Sequence, residues 1–108
     1  MKKNILNRHN LRILLKNISC IEKDGRFERL VQIITSKTKN TEFGYYAELK
    51  YFKEESVVTI SLNNHISTST VERFLKKYID SIIIDIITSG ITEEFEKAYR
   101  LISGGQNG

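Results

Sequence analysis

Apolar residues recur along this chain of 108 residues with two different periods. In NILNRHNLRILLKNIS (4–19), Leu11, Leu14, Leu15 and Ile18 share one face at spacings of three and four, which predicts a helix. Arg8, Arg12 and Lys16 follow every four residues as a stripe beside that face. The Asp-Gly pair within EKDGR (22–26) then predicts a turn. RFERLVQIITS (26–36) is rich in β-formers and apolar on both faces in its second half, as a covered strand would be. FGYYAELKYF (43–52) alternates, with Phe43, Tyr45, Ala47, Leu49 and Tyr51 on one face and Tyr46, Glu48, Lys50 and Phe52 on the other. SVVTISLN (56–63) would turn Val58, Ile60 and Leu62 inward. The links KTKNTE and KEE are short enough for hairpins, so the three strands are expected to form an antiparallel meander.

Helical spacing returns in ISTSTVERFLKKYIDSIIIDIITSG, with Ser69 or Thr70 able to cap its start and Gly90 able to end it. A last helix from Thr92 would bury Phe95, Ala98, Tyr99 and Ile102. The expectation is one α+β domain over 1–108: an N-terminal helix, a three-stranded meander and two C-terminal helices, with loose ends at about 1–4 and 103–108.

DSIIIDIITSG (80–90) strains that picture. On a helical wheel, Val71, Phe74, Leu75, Tyr78, Ile79 and Ile82 form one face, while Ile83, Ile84 and Ile87 land on the back. A strand at 82–88 is the rival reading. A sheet covers only one side of such a helix, so either the last helix folds back or a second copy of the chain supplies cover. The expectation is a homodimer contact through Ile83, Ile84 and Ile87. Asp85 falls in a narrow polar strip, where it faces solvent or pairs with Arg100 or a lysine.

Charge gives the one functional signal. Net charge is +4, but residues 1–53 hold twelve Lys/Arg against five Asp/Glu, and residues 54–108 hold five against eight. The Arg8, Arg12 and Lys16 stripe, the Lys37 and Lys39 pair at the expected hairpin tip, and Lys50 between Tyr46 and Phe52 suit phosphates and bases. Such a basic hairpin is what winged-helix proteins lay along a groove. The acidic start of the last helix, with Glu93, Glu94 and Glu96, argues against a recognition helix there.

Other chemistries find little footing. One cysteine and two histidines, His9 and His65, show no metal-ligand spacing, and nothing implies a cofactor. No nucleophile motif or phosphate-binding glycine loop is present, which points away from an enzyme. Asp80 and Asp85 break the only run long enough to approach a membrane span. The single Cys20, expected as a small buried residue, fits a reducing cytoplasmic setting. Sixteen isoleucines and eleven lysines against two alanines and no proline is the usage of an AT-rich genome, such as that of a low-GC bacterium, its plasmid or its phage.

In element order the expected fold resembles the double-stranded RNA-binding domain. That family places lysines at the start of the helix after its third strand, where this chain reads STSTVE. The order is also similar to that of some small anti-CRISPR inhibitors, whose nucleic-acid-mimicking surfaces are acidic, unlike the basic first half here. The expected function is non-enzymatic nucleic-acid binding, to duplex DNA rather than RNA, by a small regulatory or accessory protein. The alternative is a protein-binding module such as an inhibitor or immunity protein.

Overall fold

A computed structural model describes residues 5–104, and among them there is no strand. The elements are α1 (Arg8–Lys16), α2 (Ile18–Asp24), α3 (Glu28–Asn40), α4 (Glu42–Ala47), a π-helical segment (Glu48–Phe52) continuing α4, α5 (Val57–Asn64), α6 (Thr68–Thr88) and α7 (Thr92–Gly104). The α+β expectation is therefore corrected to an all-helical one. RFERLVQIITS lies largely in α3, FGYYAELKYF runs through α4 and the π segment, and SVVTISLN becomes α5. With the sheet go the winged-helix-like hairpin and the likenesses in element order to the RNA-binding domain and the anti-CRISPR inhibitors.

The side chains that reach the core explain the change. In α3 the buried residues are Leu30 and Ile34, with Phe27 just before them. Those steps of three and four residues belong to a helix. Gly44, Ala47 and Tyr51 repeat the spacing through α4 and the π segment. Apolar residues on both faces of a supposed strand were thus one broad helical face. In α5 only Ile60 is buried, while Val58 and Leu62, expected inside, are exposed.

α6 is the central strut and touches α1, α3, α4, α5 and α7. Val71, Leu75, Tyr78, Ile79, Ile82 and Ile86 line its buried side. Its cap is Ser67, whose hydroxyl accepts from the Thr70 amide at 3.1 Å, and not Ser69 or Thr70. Gly90 sits just past its end at φ 69, the left-handed conformation that favours glycine there. The predicted first helix is two: Asn17, at φ −115 and ψ 25, separates α1 from α2. Cys20 lies exposed on α2, against the expectation of burial. The expected loose ends fall mostly outside the described residues, and Ser103 and Gly104 belong to α7.

Two features position the elements around the site described next. α4 crosses the last turn of α3 so closely that a Cβ on Gly44 would run into the Lys37 and Thr38 carbonyl oxygens. Thr41 sits at the corner between them, donating to the Lys37 carbonyl at 2.5 Å and accepting from the Gly44 amide at 3.0 Å. The first turn of α3 has no cap of its own. Glu94 of α7 supplies it, with Oε2 accepting from the Leu30 amide at 2.8 Å.

Candidate functional site

The six cations read from the sequence do not form one surface. Arg8 makes a two-pronged ion pair with Asp80 of α6, at 2.7 Å and 3.1 Å. Arg12 is half-buried and lies near the Tyr51 hydroxyl, whose pKa its charge pulls down. Lys37 reaches Asp85 at 3.2 Å, so Asp85 is the partner of a lysine and not a purely solvent-facing residue. Lys50 lies half-buried in the π segment. Its expected neighbour Tyr46 stacks on Phe74, with ring centroids 5.0 Å apart and planes 6° from parallel, so that ring is taken. Of the six, Lys16 and Lys39 alone stand exposed without an ion pair among the described residues. On α6, Ile83 is half-buried against the core, whereas Ile84 and Ile87 are 58% and 59% exposed.

Lys16 and Lys39 both line one groove of about 450 Å³. Three walls enclose it. The α1–α2 corner contributes Leu15, Lys16, Ile18, Ser19 and Glu22; α3 contributes Ile34, Thr35, Thr38 and Lys39; the π segment and its exit contribute Glu48, Tyr51, Phe52 and Glu54. The depth is apolar, since Leu15, Ile34 and Tyr51 are buried and Ile18 and Phe52 half-buried. The rim is open, because Lys16, Ser19, Glu22, Thr35, Lys39 and Glu54 are exposed.

The third wall has an unusual backbone. The Lys53 amide bonds to the Glu48 carbonyl at 3.0 Å, five residues back, and the Glu55 amide reaches the Leu49 carbonyl, also at 3.0 Å. Such wide turns are uncommon and occur often at functional sites. The chain leaves the turn through Glu54 at φ 56, a left-handed conformation that a side chain with a Cβ resists. Within this turn Tyr51 is buried, its ring stacked at 6.3 Å on Tyr78.

Two phenols lie behind the groove. Thr38 donates its proton to the Ile34 carbonyl at 2.7 Å, so the Tyr78 hydroxyl, 2.8 Å from Thr38 Oγ1, is the donor in that pair. Burial pushes the Tyr78 pKa up to about 12. Burial also raises the Tyr51 pKa, against the pull of Arg12. Both hydroxyls hold their protons at neutral pH, so they serve as hydrogen-bond groups and not as bases or nucleophiles. Among the described residues no buried side-chain polar atom lacks a partner, and no group of three or more His, Cys, Asp and Glu is placed to hold a metal.

Sequence reading found two of the groove residues, Lys16 and Lys39, and missed the rest. Glu22, Glu48 and Glu54 come from three separate stretches and share no spacing. Phe52 was placed on a sheet face. The signal that could have pointed here is the spacing of Gly44, Ala47 and Tyr51 in steps of three and four, which coexists with the alternation of 43–52. The chain matches no protein-family model, no curated protein and no solved structure.

Proposed function

We propose that this chain is a non-enzymatic protein-binding module that docks a segment of a partner in the groove between the α1–α2 corner, α3 and the π segment. The observation that carries this reading is an apolar-floored groove of about 450 Å³ whose rim is open. Pockets for small molecules bury most of their ligand, whereas an open trough receives side chains projecting from a second surface. The π turn and the left-handed Glu54 support the same assignment, because strained backbone tends to persist where function holds it.

Nucleic-acid binding, the first expectation from the sequence, is less well supported. Arg8 and Lys37 already neutralise carboxylates, and Arg12 is half-buried. Phosphate binding by them would have to break those contacts. Among the described residues no helix is long and apolar enough to cross a membrane. A cytoplasmic site of action fits the exposed thiol of Cys20, which an oxidising compartment would not leave alone.

The test is a display selection of random helical peptides against the parent protein and against Thr35→Trp and Ser19→Trp, which fill the groove from exposed positions. Peptides that bind the parent and lose both variants are the expected result. If every enriched peptide ignores both substitutions, or only nucleic acid binds in a mobility-shift assay, the reading fails.

A further inference from the structure

We infer that the outward face of α6 is a second docking surface, separate from the groove, and that it takes an acidic amphipathic helix of a partner protein. None of its residues lines the groove. Arg73, Lys77, Asp80, Ile84 and Ile87 follow one another at steps of four, three, four and three. On a helix those positions fall within an arc of about 80° and run about 21 Å along the axis. Alternating steps of three and four form the seam along which one helix packs on another. Arg73, Lys77, Ile84 and Ile87 are all exposed. α1 and α7 both touch α6, yet neither covers the two isoleucines.

Charge selects the occupant. Asp80 is the one carboxylate in the seam, and Arg8 already holds it with two hydrogen bonds. Arg73 reaches the Thr70 hydroxyl of its own helix at 3.2 Å, but neither it nor Lys77 has an ion pair among the described residues. The free charges of the seam are therefore both positive. On its flank Glu72 and Lys76 stand four residues apart and offset each other. Cations occupy one half of the seam and aliphatic side chains the other. A helix that covers both halves sets carboxylates against Arg73 and Lys77 and aliphatic residues against Ile84 and Ile87. A second copy of the chain fits less well. Parallel pairing brings Arg73 and Lys77 onto their own copies, and antiparallel pairing about Asp80 opposes Arg73 to Ile87. Antiparallel pairing about Ile84 and Ile87 leaves both cations beyond the end of the partner's α6. Nucleic acid would satisfy the cations and leave the isoleucines in water. An anionic bilayer calls for clusters of about four to eight cations, more than the seam holds.

Two synthetic helices of about four turns separate the possibilities when titrated into the full-length protein by NMR. One has glutamate on half of its contact face and leucine on the rest; the other has lysine in place of glutamate. The glutamate peptide is expected to shift the amides of Lys77, Ile84 and Ile87 and to bind about three- to tenfold tighter than the lysine peptide. The double variant Arg73→Glu/Lys77→Glu changes two exposed positions and should reverse that order, while Ile84→Ser should weaken both peptides. Equal or tighter binding of the lysine peptide overturns the inference, as does an order that the double variant leaves unchanged. It also falls if the glutamate peptide shifts no α6 amide while phosphatidylserine vesicles or duplex DNA do, which would give the face to lipid or nucleic acid. A mass that halves on Ile84→Glu in light scattering would give it to a second copy and overturn the inference too. None of these outcomes touches the docking role of the groove, which has its own residues and its own test.

Discussion

The flanks of α6 and the groove both mix carboxylates with lysine and arginine, but they arrange them in opposite ways. Beside α6, both aspartates reach a cation on another helix: Asp80 meets Arg8 of α1, and Asp85 meets Lys37 of α3. Those pairs bridge α1 and α3 to the strut. Around the groove the charges come from three elements and stay apart. The difference teaches where to look for function in a chain with no recognisable motif. Charge density alone marks Arg8, Arg12 and Lys37 as a surface, whereas the partners they already have mark them as architecture.

The comparison extends to the isoleucines of α6, and the largest expected effect tests it. Ile82→Ala should cost about 2–5 kcal/mol, as removal of a fully buried aliphatic side chain does. Ile84→Ala should stay within about 0.5 kcal/mol. Urea unfolding measures both, and equal losses would mean that Ile84 is covered. Ile84→Glu followed by light scattering then says by what: a drop in mass identifies a second copy of the chain as the cover.

Next in size is an alkaline effect. Tyr78 keeps its proton up to about pH 12 when folded but ionises near 10 when unfolded. The unfolded chain therefore releases a proton first, and stability is lost as pH rises from about 10 to 12. The loss should amount to roughly 2–3 kcal/mol. Tyr78→Phe should be flatter over that window in denaturation at stepped pH. An unchanged slope would show that the phenol is not held by burial.

Gly44→Ala probes the approach of α4 to α3, which forms one side of the groove. The added Cβ meets backbone carbonyls that cannot rotate away, so a loss of about 1–3 kcal/mol is expected. It should be accompanied by shifts at Thr38 and Glu48. A stability equal to the parent would mean that the two helices separate freely.

The smallest effect has the opposite sign. Glu54→Gly relieves a left-handed residue and should stabilise by about 0.5–1 kcal/mol, less the entropy that glycine adds to the unfolded chain. It should also weaken groove binding of the peptides that the display selection enriches, because one rim side chain is gone. Gain in stability with undiminished binding would detach Glu54 from the site.

Much of the helical half was legible in the residues. The spacing of Leu11, Leu14 and Leu15, the run from Val71 to Ile82 and the stop at Gly90 all correspond to the structure, which adds Ile86 to that run. The middle was not, because 43–52 satisfies both periods at once. Phe43, Ala47 and Tyr51 are two apart in alternation and also four apart in sequence. Tertiary contact decided between them, through the Gly44 approach to α3 and the Tyr46 stack on Phe74. The strand reading of 26–36 took apolar residues on both faces as a sign of cover, when they belonged to one helical stripe. The groove escaped notice for a simpler reason. Its walls come from three stretches that only the folded chain brings together, and a π turn has no residue signature comparable to a cap or an Asp-Gly turn.

The bond from the Leu30 amide to Glu94 has a consequence for how this chain emerges from the ribosome. α3 is synthesised early, but the group that completes its first turn is made 64 residues later. Arg29, beside it, likewise reaches its acceptor only once Ser89 exists, 60 residues on. Until then the start of α3 has a bare amide and a guanidinium without its carbonyl. A nascent chain stalled before α7 should accordingly show proteolytic cleavage near Arg26 and Arg29 that release of the finished chain abolishes. The last helix thus closes the third, and with it the wall on which the groove depends.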